Sequence, residues 1–258
     1  MILTGDYHTH TPYSHGKNTV DENVETAKAL GLKEIGIADH GFSHIAFGLR
    51  RRKVAAYREE CRAAEEKYGI KVLVGIEANI LSLDGKADLS ARDFDDFDLY
   101  LCGKHVFVQY CGCGGIFRYG CRNFFADKFS KTASAGLLKD NTNAYINVIK
   151  NNPIDAVTHL NYCCPSNALE VAKCAADYGT YIELNSKKTH LTDEELAEIV
   201  AKTSARFIIG SDAHAKCRVG DTGLVEEQLK RIGFPLDRLD NIDGRTPSFR
   251  FAAYKQSR

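Results

Sequence analysis

Seven of the chain's nine histidines fall, with one glutamate and one aspartate, at the ends of stretches that read as β-strands. His8 and His10 lie in the opening Asp6-Tyr-His-Thr-His10, and His15 follows. His40 stands behind Ile35-Gly-Ile-Ala-Asp39, and Glu77 lies in Gly75-Ile-Glu-Ala-Asn79. His105 follows Leu99-Tyr-Leu-Cys-Gly-Lys104, His159 follows Ile154-Asp-Ala-Val-Thr158, and Asp212 and His214 close Ser211-Asp-Ala-His214. Neutral imidazole is the commonest metal ligand in proteins, and carboxylates complete or bridge such sites. Residues i and i+2 of a strand share a face, so His8 and His10 can grip one ion, as can Asp212 and His214. Asp6 is on the same face, deeper, where it could orient a ligand imidazole. Glu77 has two oxygens and can bridge two cations. One strand-end histidine is more often a core or capping group. Nine such positions together, each needing a polar partner if buried, point to a multinuclear metal centre. His44 and His190 lie in loops outside this pattern and read as ordinary, although His44 overhangs the rim near His40.

Strand-like and helix-like stretches alternate from end to end. Strands are expected at about 2–10, 33–39, 71–81, 98–107, 153–160, 179–185 and 206–212, each rich in Ile, Val, Leu, Tyr or Phe. Thr19-Val-Asp-Glu22 is a capping box opening the first helix, which Gly31 closes; Thr192-Asp-Glu-Glu195 is another. A helix over 53–68 ends at Gly69, and Pro165 reads as the first residue of one running to Tyr178. Helix-separated strands imply parallel pairing with right-handed crossovers. Seven units returning to one rim predict a single-domain α/β chain, residues 1–258, closed into a (β/α)7 TIM-like barrel. In such barrels the active site lies at the C-terminal strand ends, where these residues fall. Residues 106–140 read as a long irregular loop overhanging that rim, a candidate lid, with Arg118, Arg122, Lys128 and Lys131 among aromatics. The tail after Gly233 reads as a return strand or turn with a frayed end.

Composition narrows the function. Lys+Arg 34 against Asp+Glu 34 gives a formal net charge of zero, so nothing draws the whole chain to nucleic acid or an anionic membrane. Apolar runs are strand length, too short for a membrane span, and the opening residues lack a signal-peptide pattern. A cytoplasmic location is expected. The nine cysteines are expected as reduced thiols. Cys111, Cys113 and Cys121 lack the paired C-x-x-C spacing of structural zinc sites and read as small loop residues. Adjacent Cys163 and Cys164 would point in opposite directions.

The motifs Asp6-Tyr-His-Thr-His-Thr-Pro-Tyr-Ser-His15, Ala38-Asp-His-Gly41, Gly75-Ile-Glu-Ala-Asn-Ile80, His105, His159, Glu183-Leu-Asn-Ser186 and Gly210-Ser-Asp-Ala-His214 resemble those of the PHP (polymerase and histidinol phosphatase) superfamily. The likeness runs nearly the whole length. The stretch from Gly75 to Asp88 looks most like the small stand-alone trinuclear-zinc phosphatases, and the opening motif like histidinol-phosphate phosphatases. The resemblance implies a distorted seven-stranded barrel with three divalent metals: zinc by preference, manganese or iron as alternatives. It would place His8, His10, Glu77 and Asp212 on the first metal, and Glu77, His105 and His159 on the second. His15, His40 and His214 would hold the third. Histidine-rich ligation disfavours magnesium, which prefers an oxygen shell.

The chemistry expected is hydrolysis of a small phosphomonoester by a metal-activated hydroxide, with no covalent protein nucleophile. Histidinol phosphate is one candidate substrate. A guanidinium suits the phosphate, and the candidates are Arg218 and, in the long loop, Arg122 or Arg118. Arg50-Arg51-Arg52 reads instead as a solvated helix start. Asp39 or a water is the candidate acid for the leaving alcohol. A metal-dependent 3′–5′ exonuclease is disfavoured by the charge balance and the lack of a basic track. A catalytically silent metal-binding barrel is disfavoured because no expected ligand is missing. The expected partner is thus a small phosphorylated molecule, with neither nucleic acid nor membrane; the oligomeric state is not legible.

Overall fold

A computed structural model describes residues 1–129 and 133–257. Its frame is one parallel sheet with strands in chain order: β1 (Gly5–Thr9), β2 (Glu34–His40), β3 (Lys71–Asn79), β4 (Leu99–Gly103), β5 (Ala156–Val157), β6 (Tyr181–Asn185) and β7 (Phe207–Gly210). The sheet curls until its edges meet at the rim. There His10 N donates to Ala213 O (2.8 Å) and Ala213 N to His8 O (3.2 Å), with Thr9 bridging Ala213 in parallel. The alternating pattern predicts a barrel of seven parallel strands and the family resemblance a distorted one; the structure is that barrel, nearly closed and wrapped by helices. Strands buried on both faces read as continuous apolar runs, which is why the sequence displays them clearly.

The helices are α1 (Val20–Ala29), α2 (Val54–Tyr68), α3 (Arg122–Phe129), α4 (Ala135–Asn151), α5 (Ala168–Tyr178), α6 (Asp193–Lys202), α7 (Gly223–Ile232) and α8 (Arg250–Gln256). Both capping boxes form: Thr19 with Glu22 opens α1, and Thr192 with Glu195 opens α6. Helix α5 starts later than Pro165 suggests. Asn167 is its cap, accepting from Glu170 N (3.2 Å), because a side-chain acceptor satisfies an orphan amide that proline cannot.

Two other expectations change. Residues 106–140 are not one irregular loop: 114–121 form a π-helical turn that runs into α3, and α4 begins at Ala135. Glycines and cysteines hide the helical period, but Tyr119 is buried in the core and Asn123 and Asn141 exchange two 2.8 Å side-chain bonds. Lys131 lies outside the described residues. The tail is not a return strand. It ends in α8, with Phe251 fully buried and its amide donating to Asp155 Oδ1 (2.7 Å).

One alternation along the barrel interior sets up the site. Leu73, Gly75 and Glu77 succeed each other up one face of β3; Leu101, Gly103 and His105 do so on β4, and Ile208, Gly210 and Asp212 on β7. The lower members join Tyr7, Ala38, Leu99, Ala156 and Tyr181 in a separate apolar cluster sealed by Phe249. The glycines leave room for polar groups above. A Cβ on Gly210 would come 2.2 Å from Glu183 Oε1, and one on Gly103 would come 2.2 Å from Thr158 Oγ1.

Candidate metal centre

Glu77 is the hub of the rim. Its Oε1 lies 2.7 Å from His159 Nε2 and 3.3 Å from His8 Nε2. Its Oε2 lies 2.8 Å from His40 Nδ1, 3.2 Å from His105 Nε2 and 3.8 Å from His10 Nε2. His10 Nε2 is also 3.4 Å from Asp212 Oδ1, and His214 Nδ1 is 3.2 Å from the same oxygen. The His15 ring stacks on His40 with centroids 4.8 Å apart and meets His214 edge-on at 4.1 Å. All nine residues read from strand ends therefore stand around one point. Three sets offer ligand atoms within 4.8 Å of one another: His8, His10 and Glu77; His40, Glu77 and His105; and His10, His40 and His214. His105 and His159 address different Glu77 oxygens, a finer division than the strand-end motifs convey.

The atoms fit cations better than they fit each other. Among the described residues, His8 Nε2, both ring nitrogens of His10, His40 Nδ1, His159 Nδ1 and Glu77 Oε2 are buried without a hydrogen-bond partner. His40 Nδ1 and Glu77 Oε2 are close yet misaligned for a hydrogen bond, as two ligands aimed at a common ion are. A buried polar atom left unpaired costs about 1–3 kcal/mol, so this many lone-pair donors gathered at one rim fit shared cations. Nitrogen and carboxylate donors in this mixture suit zinc, manganese or iron.

Outer contacts fix the rings. Glu183 Oε1 holds His8 Nδ1 at 2.6 Å, and Glu183 Oε2 accepts from His159 N (2.8 Å). Asn79 Oδ1 meets His105 Nδ1 (2.8 Å), and Asn79 Nδ2 donates to Asp88 (2.6 Å). Each leaves the Nε2 atom of its ring free to bind a cation. His159 and Asp212 have φ of 32° and 48°, left-handed backbone that non-glycine residues adopt at some cost and that gathers at functional sites.

The charges are poised for ligation. Burial would push the Glu77 carboxyl up, but His105, His8 and His159 hold it well below the usual range. Burial and the neighbouring imidazoles push His10 well below its ordinary value, and His15 to about 3. Burial likewise takes His40 to about 4. These rings are neutral donors near neutral pH. Burial would also lower His8, but Glu183 and Glu77 raise it.

Above the cluster opens a cavity of about 510 Å3. It recruits side chains that strand-end reading passed over. His44 and His190, read as ordinary, both line it, with Tyr162, Asn185, Lys187 and Lys188. Lys187 Nζ lies 3.3 Å from both Asp212 oxygens and 3.1 Å from His214 Nδ1. Other candidates are turned elsewhere. Asp39 alternates with His40 and faces outward, accepting from Thr11 N (2.8 Å), Thr11 Oγ1 (2.5 Å) and Ser14 Oγ; burial pushes its carboxyl up to about 6. It shapes the His10–His15 turn. Arg218 pairs with Asp221 (3.0 Å) and donates to Ser186 O, and Arg122 pairs with Asp140 (2.5 Å). Neither lines the cavity. Arg118 also reaches Asp140, at 3.6 Å. Asp6 meets no imidazole; it accepts from Ser211 N (3.2 Å), Ser211 Oγ (2.5 Å) and Gly220 N (2.9 Å), tying β1 to the last motif. Glu183 does for His8 what Asp6 was expected to do. No disulfide joins the described cysteines, and Cys111, Cys113 and Cys121 enter none of the three ligand sets.

Known proteins share this arrangement of sequence. A probable phosphatase of Photobacterium profundum is 28% identical over 93% of this chain and 89% of its own length. One of Shewanella halifaxensis is 29% identical over 92% and 87%. A similar fold occurs in the Lactococcus lactis histidinol phosphate phosphatase complexed with zinc, L-histidinol and phosphate. That structure superposes with a TM-score of 0.60 at 17% identity, covering 91% of this chain and 95% of the other. The family model described as "PHP domain" matches residues 6–187, which carry His8, His10, His15, His40, Glu77, His105, His159 and Glu183. With this match running over most of the chain and onto the rim itself, the protein belongs to the PHP domain family.

Proposed function

We propose that this chain is a metal-dependent phosphatase that hydrolyses a small phosphomonoester at a centre of three divalent cations, zinc by preference. The observation that carries the reading is the convergence of unpaired, buried imidazole and carboxylate atoms on the floor of an open cavity. His8, His10, Glu77 and Asp212 would hold one cation, Glu77, His105 and His159 a second, and His15, His40 and His214 a third. Such cations would neutralise phosphoryl oxygens and make hydroxide available from water near neutral pH. The names of the curated relatives, probable phosphatases, support the same class of reaction.

The chain's own residues supply the rest. Glu183 and Asn79 hold His8 and His105 in the tautomer that offers Nε2. Lys187, at the cavity edge beside Asp212 and His214, replaces the arginines as the cation that meets the substrate phosphate. An ammonium does this as a mobile point charge rather than a planar fork. Pocket size and the paucity of cations around it favour a small ester over a nucleic-acid strand. No helix among the described residues is long and apolar enough to cross a membrane, and a cytoplasmic site of action accords with that.

The test is purified protein loaded with zinc, manganese or iron, assayed against a phosphomonoester panel and a labelled single strand. Phosphate release from small esters is expected. Nucleotide release from the strand, or no turnover with any metal, would overturn the reading.

A further inference from the structure

The mouth of the cavity is built by two loops from different strands. Residues 41–49 follow β2, residues 106–110 follow β4, and the two pair over the end of β3. His44 bridges Val108 in antiparallel fashion, Ile45 N donates to Phe107 O (2.9 Å), and Gln109 N donates to Ser43 O (2.9 Å). The pair is anchored below. Asp88 accepts from Ser43 N (2.7 Å) and from Asn79 N (2.8 Å), so one buried carboxylate ties the flap to β3. The turn is tightened by Phe47 N donating to His44 Nδ1 (3.1 Å) and Leu49 N to His40 O (2.8 Å).

This frame presents two aromatic rings to the cavity. Phe47 and Phe107 both line it while remaining 43% and 61% exposed. A single exposed apolar side chain needs no explanation. Two held on a hydrogen-bonded flap above a polar floor are the arrangement of a ligand pocket, with apolar walls and a few placed polar groups. Phe47 is further fixed by stacking on His15, with centroids 4.6 Å apart. Lys187 and Lys188 also line the cavity. The acids lining the cavity are Glu77 and Asp212, both within the ligand cluster on the floor, so no carboxylate at the mouth is placed to receive a positive charge.

An alcohol leaving the floor of the cavity can meet this flap, whose two phenylalanines are the apolar aromatic rings of the lining. We propose that Phe47 and Phe107 select an alcohol bearing a flat apolar ring and no positive charge, since the lining offers an amine no carboxylate outside the ligand cluster and adds the ammonium of Lys188. This rests on the phosphomonoesterase reading and sharpens it. It separates the chain from the histidinol complex of its structural neighbour, whose ligand carries an amine.

The experiment compares phenethyl phosphate, ethyl phosphate and histidinol phosphate on the zinc-loaded protein, and binding of phenethylphosphonate against ethylphosphonate by calorimetry. Phenethyl phosphate is expected to exceed the other two in kcat/KM by about tenfold, the scale of one aromatic contact. Phe47→Ala with Phe107→Ala should erase that preference, read as the ratio of phenethyl to ethyl kcat/KM within the variant, and the matching difference in phosphonate binding. Equal turnover of phenethyl and ethyl esters, a preference that survives the double substitution, or histidinol phosphate as the best substrate would overturn the proposal. Turnover of no ester at all would instead count against the phosphatase reading. The phosphonates then decide the flap by themselves, since equal binding of the two would overturn it.

Discussion

The upper and lower halves of the barrel interior are built by the same strands and obey opposite rules. Below, Leu73, Leu99, Leu101, Tyr181 and Ile208 pack with Tyr7, and Phe249 closes the end, its ring edge-on to Tyr7 at 5.0 Å. Tyr7 joins this floor although His8 joins the rim, because the β1 register shifts between Asp6 and Thr9. Above, the same faces carry Glu77, His105 and Asp212, buried among unpaired nitrogens and oxygens. The floor gains stability from every atom buried; the rim spends it, since each desolvated orphan is unfavourable without a partner. A sealed apolar end is what allows an expensive polar end to stay folded and in place.

The contrast can be broken most severely at the hub. Glu77→Gln, nearly isosteric, should lower metal content and cut phosphatase turnover by about 10³-fold, while circular dichroism and the unfolding midpoint of the metal-free protein hold or rise. Retained metal with full turnover would mean that the rim is not organised around this carboxylate. The complementary change is at the floor. Phe249→Ala, at a half-buried ring, should cost about 2 kcal/mol of stability with kcat/KM unchanged below the melting range. A fall in metal affinity of the folded variant would show that the two halves are not separable. Glu183→Gln should weaken zinc binding by about 10–100-fold by freeing the His8 ring, read by competition with a chelating dye. Zinc affinity equal to that of the parent chain would remove Glu183 from the support of the site.

The smallest expected effect concerns Asp155 beneath the floor. Burial pushes its carboxyl up to about 7 although Phe251 N and Tyr100 N donate to it. An acid whose folded value lies above its ordinary 3.8 holds a proton that the unfolded chain has lost. Stability contributed by this group is therefore full below about 4 and declines as pH rises toward 7. Comparing denaturant midpoints of the parent and Asp155→Asn across that interval cancels the shared histidine titrations. The parent should lose ground to the variant as pH rises; a difference independent of pH would contradict the assignment.

What the sequence makes legible follows from local rules. Apolar runs mark the strands, and the paired Thr/Glu caps at Thr19 and Thr192 mark two helix starts to the residue. The ligand candidates stand out because polar residues ending apolar runs need a reason to be there. What stays hidden depends on distant partners. Arg122 and Arg218 look like phosphate binders until Asp140 and Asp221 are seen to claim them. Asp39 looks like a rim acid until strand alternation turns it outward onto Thr11 and Ser14. Glu183 is visible as part of the Glu183-Leu-Asn-Ser186 motif, but its hold on His8 is not, and Lys187 and the Phe47–Phe107 flap have no local signature, since each acquires its role from a loop or strand far along the chain. The helical turns at 114–129 are concealed by their glycines, and only burial of Tyr119 and Asn123 reveals what holds them.

The most direct test of the proposed metal centre is anomalous scattering above and below the zinc edge from crystals of the zinc-loaded protein. Three peaks are expected, clustered around Glu77, within coordination distance of the imidazoles of His8, His10, His15, His40, His105, His159 and His214. Crystals whose zinc signal lies elsewhere, or that show these side chains closed on one another with no peak between them, would contradict it.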